Sequence, residues 1–323
     1  MKSAGLRALL GALVLSVTAA AAVAQTYPDR PVRIVLPFGA GGVADITARI
    51  TAEALGNQLG QRFIVENMPG AGGIAAARAV TSAQPDGYTL AMLTNGTAIS
   101  VPLFKALPFN PEKDFMPISS LGYFDFVVAT NATSEYKSIA EIIKYAKANP
   151  GKLNVGTINV GSSQNLSAEL LKTAAGIDFT IVPFRGSPEV VVALLRDDIQ
   201  VMIDNYVAIR PNLLEKKLLA VATTGTTRSQ VLPDVPTVEQ GGVKDYEVVS
   251  WNAMFAPAGT PPAVIQTLNQ ALQKVLVDPT VKQKMLDLGI EAKASTPQEI
   301  SARLKSDIEK WGKVIERANI PKM

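Results

Sequence analysis

Apolar residues fall along the chain in short continuous runs that alternate with longer stretches spaced three and four apart. Val32–Leu36, Phe63–Glu66 and Tyr88–Leu93 read as buried strands. Ala44–Leu59 reads as a helix, with Ile46, Ile50 and Leu55 near one face. A second alternating block follows. Helices are expected at Ser138–Ala148, which ends at Asn149-Pro150-Gly151, and at Ser162–Ala174 and Ser187–Leu195. Strands are expected at Leu153–Gly156, Phe179–Val182, Gln200–Ile203 and Leu218–Ala222. After the Pro/Gly turn 256–262 the chain returns to two amphipathic helices, Pro261–Val277 and Pro297–Arg317. This alternation predicts βαβ units around a mostly parallel sheet. Two apolar strands, Phe126–Thr130 and Val248–Phe255, are placed to carry the chain between the blocks. The expected architecture is α/β with two lobes and a cleft at their junction: residues 25–126 plus 250–323 in one lobe, 127–249 in the other.

The N-terminus has a different pattern. Lys2 and Arg7 lead into the alanine-rich run Ala8–Val23, and Ala22-Val23-Ala24 is a small-x-small cleavage site. The leucine-rich part spans only about ten residues, short of the roughly 20 needed to cross a bilayer. Residues 1–24 are therefore expected to be an export signal cleaved after Ala24, which delivers the chain to the periplasm. There is no twin-arginine pair, so the chain is expected to cross the membrane unfolded.

Composition removes several chemistries. The 323 residues include no histidine and no cysteine. Ser-His-Asp and Cys-His triads and the usual zinc sites are therefore out of reach, as are lipid attachment at cysteine and a disulfide scaffold. No Asp/Glu pair stands out for acid–base work, and neither a metal nor a cofactor is expected. The formal net charge of +3 loses two positive charges with the leader, so the mature chain is nearly neutral. No basic cluster with interleaved aromatics suggests nucleic acid.

Three strand-to-helix loops carry candidate chemistry. In the first, Phe38-Gly39-Ala40-Gly41-Gly42 closes a strand and opens a helix, leaving backbone N–H groups and the positive end of the helix dipole at one spot. Gly39-x-Gly41-x-x-Ala44 also satisfies a dinucleotide fingerprint, with Glu66 ending the next strand. An oxidoreductase is the alternative from another class. Against it stand the bulky Pro37-Phe38, the recurrence of the pattern at Gly70–Ala75 and the export address. Asp45 and Arg49, four apart, are expected to pair with each other. The second loop runs from Thr157 through Gly161, Ser162 and Ser163, and groups hydroxyl and amide donors beside glycine, more than a single N-cap needs. The third is Val182–Ser187. Its Arg185 reads equally as a bidentate carboxylate clamp or as a surface residue. Asp204-Asn205 ends another strand and reads as cleft lining or as an Asx turn. Phe38, Tyr206 and Trp251 read as an apolar wall or as core.

The segments PFGAGGVADITAR, ENMPGAGGIAAA, LNVGTINVGSSQNLSAELL, VPFRGSPEVVVALL and SWNAMFAPAGTPP together resemble the extracytoplasmic solute-binding receptors of tripartite tricarboxylate transporters, the TctC/Bug family. The resemblance spans the mature chain. It implies a periplasmic binding protein with two α/β lobes that close on a small organic carboxylate and pass it to membrane permease subunits, working as a monomer without catalysis. A receptor that reports to a membrane sensor kinase is the neighbouring alternative. The resemblance assigns most carboxylate contacts to Phe38, Gly39, Ala40, Gly41 and Gly42 and to Thr157, Asn159, Gly161, Ser162 and Ser163, with bridging waters. Arg185 and Asp204 join them as candidates from the loop reading. The chain departs from the family at Asn165, where the family usually has histidine, and at Arg196–Gln200, where it usually has a glycine and an aspartate. If backbone donors hold the anion, proline at Ser162 should remove one of them.

Overall fold

The computed structural model describes residues 27–323; the expected export signal lies outside the described residues. In chain order the elements are β1 (Val32–Leu36), α1 (Val43–Leu59), β2 (Phe63–Asn67), α2 (Ile74–Thr81), β3 (Thr89–Thr94), α3 (Asn95–Leu103) and β4 (Phe115–Asn131). Then come α4 (Ile139–Ala148), β5 (Asn154–Ile158), α5 (Ser163–Ala175), β6 (Thr180–Phe184), α6 (Ser187–Leu195), β7 (Val201–Asn205), α7 (Tyr206–Leu214) and β8 (Leu218–Thr223). β9 (Val249–Pro257), α8 (Pro262–Val275), α9 (Pro279–Leu286), β10 (Glu291–Ala292) and α10 (Pro297–Arg317) complete the chain.

The strands form one sheet in the order β2-β1-β3-β9-β4-β7-β5-β6, with β8 and β10 both pairing with β4. β1 pairs in parallel with β2 and β3, and β5 with β6 and β7. Between these parallel sets run the antiparallel β9 and β4. β4 changes partners along its length: residues up to Asp125 pair with β9, and residues from Phe126 pair with β7 and β8. The return crossing lies beside it, where the Val248 N–H donates to the Thr224 carbonyl (2.7 Å) and the Thr224 N–H to that of Phe126 (3.0 Å).

The period of two along the strands sorts side chains onto two covered faces. Val32, Ile34 and Leu36 of β1 pack with Ala48 and Leu55 of α1 and Leu268 and Leu272 of α8. Val35 faces the other way, toward a cluster that holds Val80 of α2, Ile99 of α3 and Leu304 and Trp311 of α10. The same sorting recurs beyond the crossing. Val127 and Ala129 cluster with Val190 and Leu194 of α6, while Val128 joins the cluster of Leu166 and Leu171 of α5. Each fully buried Val, Leu or Ile contributes about 1.5–3 kcal/mol. Among the described residues no helix is long and apolar enough to cross a membrane.

Two differences from the sequence expectation have physical causes. The crossing strand expected over Phe126–Thr130 is the end of a 17-residue strand. Its first half is interrupted by Pro117, Ser119, Ser120 and Gly122, and it shifts register at Pro117/Ser119 and Ser120/Gly122. The buried Ser119 and Ser120 are satisfied by reciprocal bonds with Ser295 (2.9 Å each). α3 contains Gly96 and Pro102, both poor helix formers. A capping box between Thr94 and Thr97 and the burial of Ala98, Ile99 and Leu103 hold it instead.

Candidate functional site

Parallel strands deliver the helices that follow them to a common edge. Here β1, β2, β3, β5, β6 and β7 all lead at that edge into helices whose N-terminal residues line one cleft of about 560 Å³. Gly42–Ala44 come from α1, Gly70–Gly73 from the turn into α2, and Thr94, Gly96 and Thr97 from α3. Facing them are Asn159–Gln164 at α5, Ser187 at α6 and Asn205 at α7. None of the lining residues is Lys, Arg, Asp or Glu.

The two glycine loops are fastened in the same way. Gly41 has φ +88°, a region that favours glycine, and its N–H donates to Asp45 Oδ2 (2.9 Å) four residues on. Gly161 has φ +79°, and its N–H donates to Asn165 Oδ1 (3.1 Å), again four residues on. Asn165, the departure from the family pattern, thus secures the loop from behind; it is buried and does not line the cleft. In the first loop Asn67 Nδ2 also donates to the Phe38 carbonyl (3.0 Å) and to Asp45 Oδ1 (2.9 Å). Arg49 donates to Asp45 as expected from their spacing (3.0 Å).

Burial pushes the Asp45 carboxyl up. The bonds from Arg49, the Gly41 N–H and Asn67 outweigh it, and the group titrates below its ordinary value of 3.8. A carboxylate depressed in the folded state stabilises the fold above its unfolded pKa, and that contribution fades as pH falls through the folded pKa. Asp45→Asn is therefore expected to be less stable than the parent at neutral pH, with the gap closing below about pH 4. Urea melts at pH 7 and pH 3 check this; an equal gap at both would contradict it.

The fastening leaves other donors open. Among the described residues no acceptor meets the N–H groups of Gly42, Val43 and Ala44, nor those of Ser163 and Gln164. All five residues line the cleft. The Ser162 N–H, by contrast, is taken by the Asn159 carbonyl (3.0 Å), and the Ser162 hydroxyl caps the Asn165 N–H (3.1 Å). Proline at 162 would break the loop itself; position 163 is the place to delete a free donor.

The other candidates are placed variously. Phe38, Gly42, Asn159, Gly161, Ser162 and Ser163 line the cleft together. Gly39, Ala40 and Gly41 are exposed on the turn outside the lining. Thr157 is buried behind the second loop, its hydroxyl donating to the Ile158 carbonyl (3.0 Å). Arg185 is exposed and outside the lining, its backbone N–H held by Glu189 (3.2 Å). Trp251 is core, and Tyr206 packs against Gly289. Asp204 is fully buried behind Gln164 and Asn205 of the lining. Its Oδ1 accepts from Gln164 Nε2 (3.0 Å), the Asn205 N–H (2.7 Å) and Asn205 Nδ2 (3.3 Å). Burial pushes this carboxyl up, opposed by the Ser187 hydroxyl, Gln164 and Asn205. The sequence reading missed the whole α3 start. Its signal was present in Thr94-Asn95-Gly96-Thr97, a polar break with glycine directly after an apolar strand.

Fold and cleft together define the class: a two-lobed periplasmic-binding-protein fold with a solute cleft edged by helix N-termini. Residues 47–320 match the family model described as the tripartite tricarboxylate transporter family receptor, TctC. A UPF0065 protein encoded in the tcbD-tcbE intergenic region of Pseudomonas sp. (strain P51) is 33% identical over 315 residues, 96% of this chain and 94% of the relative. BugT of Bordetella pertussis is 30% identical over 318 residues, 98% of each chain. Among solved structures, Rpa4515 of R. palustris with adipate aligns with TM-score 0.82 at 31% identity, covering 92% of this chain and all of that one. MatC from Rhodopseudomonas palustris with bound malate aligns with TM-score 0.77 at 33% identity, covering 90% and 100%. The chain belongs to the TctC receptor family of tripartite tricarboxylate transporters, a family of solute-binding receptors.

Proposed function

We propose that the protein captures a small organic carboxylate between its two lobes, 25–126 plus 250–323 and 127–249, and delivers it to the membrane subunits of a tripartite transporter. One observation carries this reading: unpartnered N–H groups at the starts of α1 and α5 face a cleft with no charged side chain. Such groups are suited to a carboxylate, because each helix start adds partial positive charge and oriented donors. A fixed cation would hold any anion; oriented dipoles demand the right shape. In this reading Phe38 and Gly42 grip from one lobe, Asn159, Gly161, Ser162 and Ser163 from the other, and the protein acts as a monomer. Export by residues 1–24 would leave a mature chain starting at Gln25.

A thermal-shift screen of organic acids on the mature protein tests it. A ligand at 100 times its dissociation constant adds about 2.7 kcal/mol of stability. At least one mono-, di- or tricarboxylate is expected to raise the melting temperature, and small-angle scattering of that complex is expected to give a smaller radius of gyration. A panel in which no acid acts and nicotinamide dinucleotides do would reject the reading.

A further inference from the structure

The side chains of Gln164 on α5 and Asn205 at the start of α7 present the opposite polarity from the backbone N–H groups at the starts of α1 and α5. A carboxyl oxygen that accepts from a side-chain amide holds that amide with its NH2 inward. Asp204 does this to Gln164 and to Asn205, whose amide nitrogens both donate to its Oδ1 (3.0 and 3.3 Å). The carbonyl oxygens of those two side chains are left for the cleft that both residues line. Asn205 Oδ1 is buried and has no partner among the described residues. Native proteins seldom leave buried acceptors empty. A second carboxylate brought to these two side chains would meet acceptor oxygens, and the Ser187 hydroxyl beside them is engaged by Asp204.

Four aromatic rings supply much of the apolar lining, with Thr97, Ser100, Ser250 and Asn252 among them. Phe126 pairs with Asn205 across the β4–β7 ladder, and Phe124 stacks edge-on to Phe126 with ring centroids 6.1 Å apart. Phe38 and Phe104 approach from the other side, beside Gly96 and Gly72. We infer that the ligand is a monocarboxylate with an apolar body and, at the end away from its carboxylate, a hydrogen-bond donor received by the side-chain oxygens of Gln164 and Asn205, whose amides Asp204 orients from behind. This rests on the carboxylate reading above and narrows it. The donor is a hydroxyl or an ammonium group; both present N–H or O–H to the same oxygens.

Calorimetric titration with matched acids tests it. One set is benzoate, 4-hydroxybenzoate, 4-(aminomethyl)benzoate and terephthalate; the other is hexanoate, 6-hydroxyhexanoate, 6-aminohexanoate and adipate. In at least one set a donor-bearing acid is expected to bind tenfold or more tighter than both its donor-free parent and its dicarboxylate. Whether the hydroxyl or the amine wins identifies the donor. Asn205→Leu and Asp204→Asn are each expected to bring that preference to within about threefold of unity. If Asp204→Asn does not fold, Asn205→Leu alone decides. Dicarboxylates that bind as well as or better than the donor-bearing acids overturn the inference and leave the carboxylate reading standing, as does a preference unchanged in Asn205→Leu. Absence of binding by all eight acids overturns both.

Discussion

Ser163→Pro is expected to weaken carboxylate binding by tenfold or more while the protein stays folded. Residue 163 is the first of α5, where proline's fixed φ and missing N–H are tolerated. The preceding Ser162 already has φ −72° and ψ 160°, the extended conformation that a following proline requires. What is lost is one of the open donors. A hydrogen bond to a charged group contributes about 1.5–3 kcal/mol, and 1.4 kcal/mol is a factor of ten in affinity. Ser163→Ala is the control, since it keeps the N–H and removes only the hydroxyl that accepts from Asn95 Nδ2 (2.9 Å). Val43→Pro makes the same deletion at α1, where Gly42 has φ −83° and ψ 170°. Titration of all three with a carboxylate found by screening decides the matter. Proline variants that bind as tightly as the parent would show that these backbone donors do not hold the anion.

The largest stability effect is expected from Asp307→Ala, about 3 kcal/mol, or roughly 6 °C in Tm. Asp307 is buried on α10 and accepts from Trp251 Nε1 (2.6 Å) and Arg303 Nε (2.9 Å). Arg303 also donates to the Val249 carbonyl (3.0 Å) and pairs with Glu247 (3.6 Å), so α10 is tied to the start of β9. Alanine strands the buried Trp251 indole N–H, which cannot recover water without opening the core, and takes from Arg303 one of its three partners. Asp307→Asn retains an acceptor for Trp251 and should lose markedly less. Thermal melts followed by circular dichroism compare the three; a Tm for Asp307→Ala within a degree of the parent would refute the estimate.

The parallel strands and the long amphipathic helices were legible because their apolar spacing is local. Val32–Leu36 and Pro297–Arg317 have the bounds that their patterns predict. What escaped was set by partners distant in sequence. α7 contains Pro211 and α3 contains Pro102, so neither reads as a helix until the surfaces they cover are known. The same applies to the cleft. Glycine and serine loops after strands announced two helix starts as anion sites, and Gly42 and Ser163 do line it. No spacing announced that Asp204 would sit buried behind Asn205 and hold its amide nitrogen inward; the polarity of a wall depends on which way an amide is held.

The chain has two tryptophans, and one is wired to the cleft. The Trp311 indole N–H donates to Asn95 Oδ1 (2.8 Å), and the other end of the same amide donates to the Ser163 hydroxyl (2.9 Å). Indole emission is sensitive to the charge and hydrogen bonding around the ring. Trp251 bonds instead to Asp307 and has no such link to Ser163 among its hydrogen bonds. The protein therefore carries a candidate optical reporter: under the proposed binding mode, a carboxylate arriving at Ser163 is expected to perturb Trp311 through a single asparagine, a change that ultraviolet fluorescence of unlabelled protein would read.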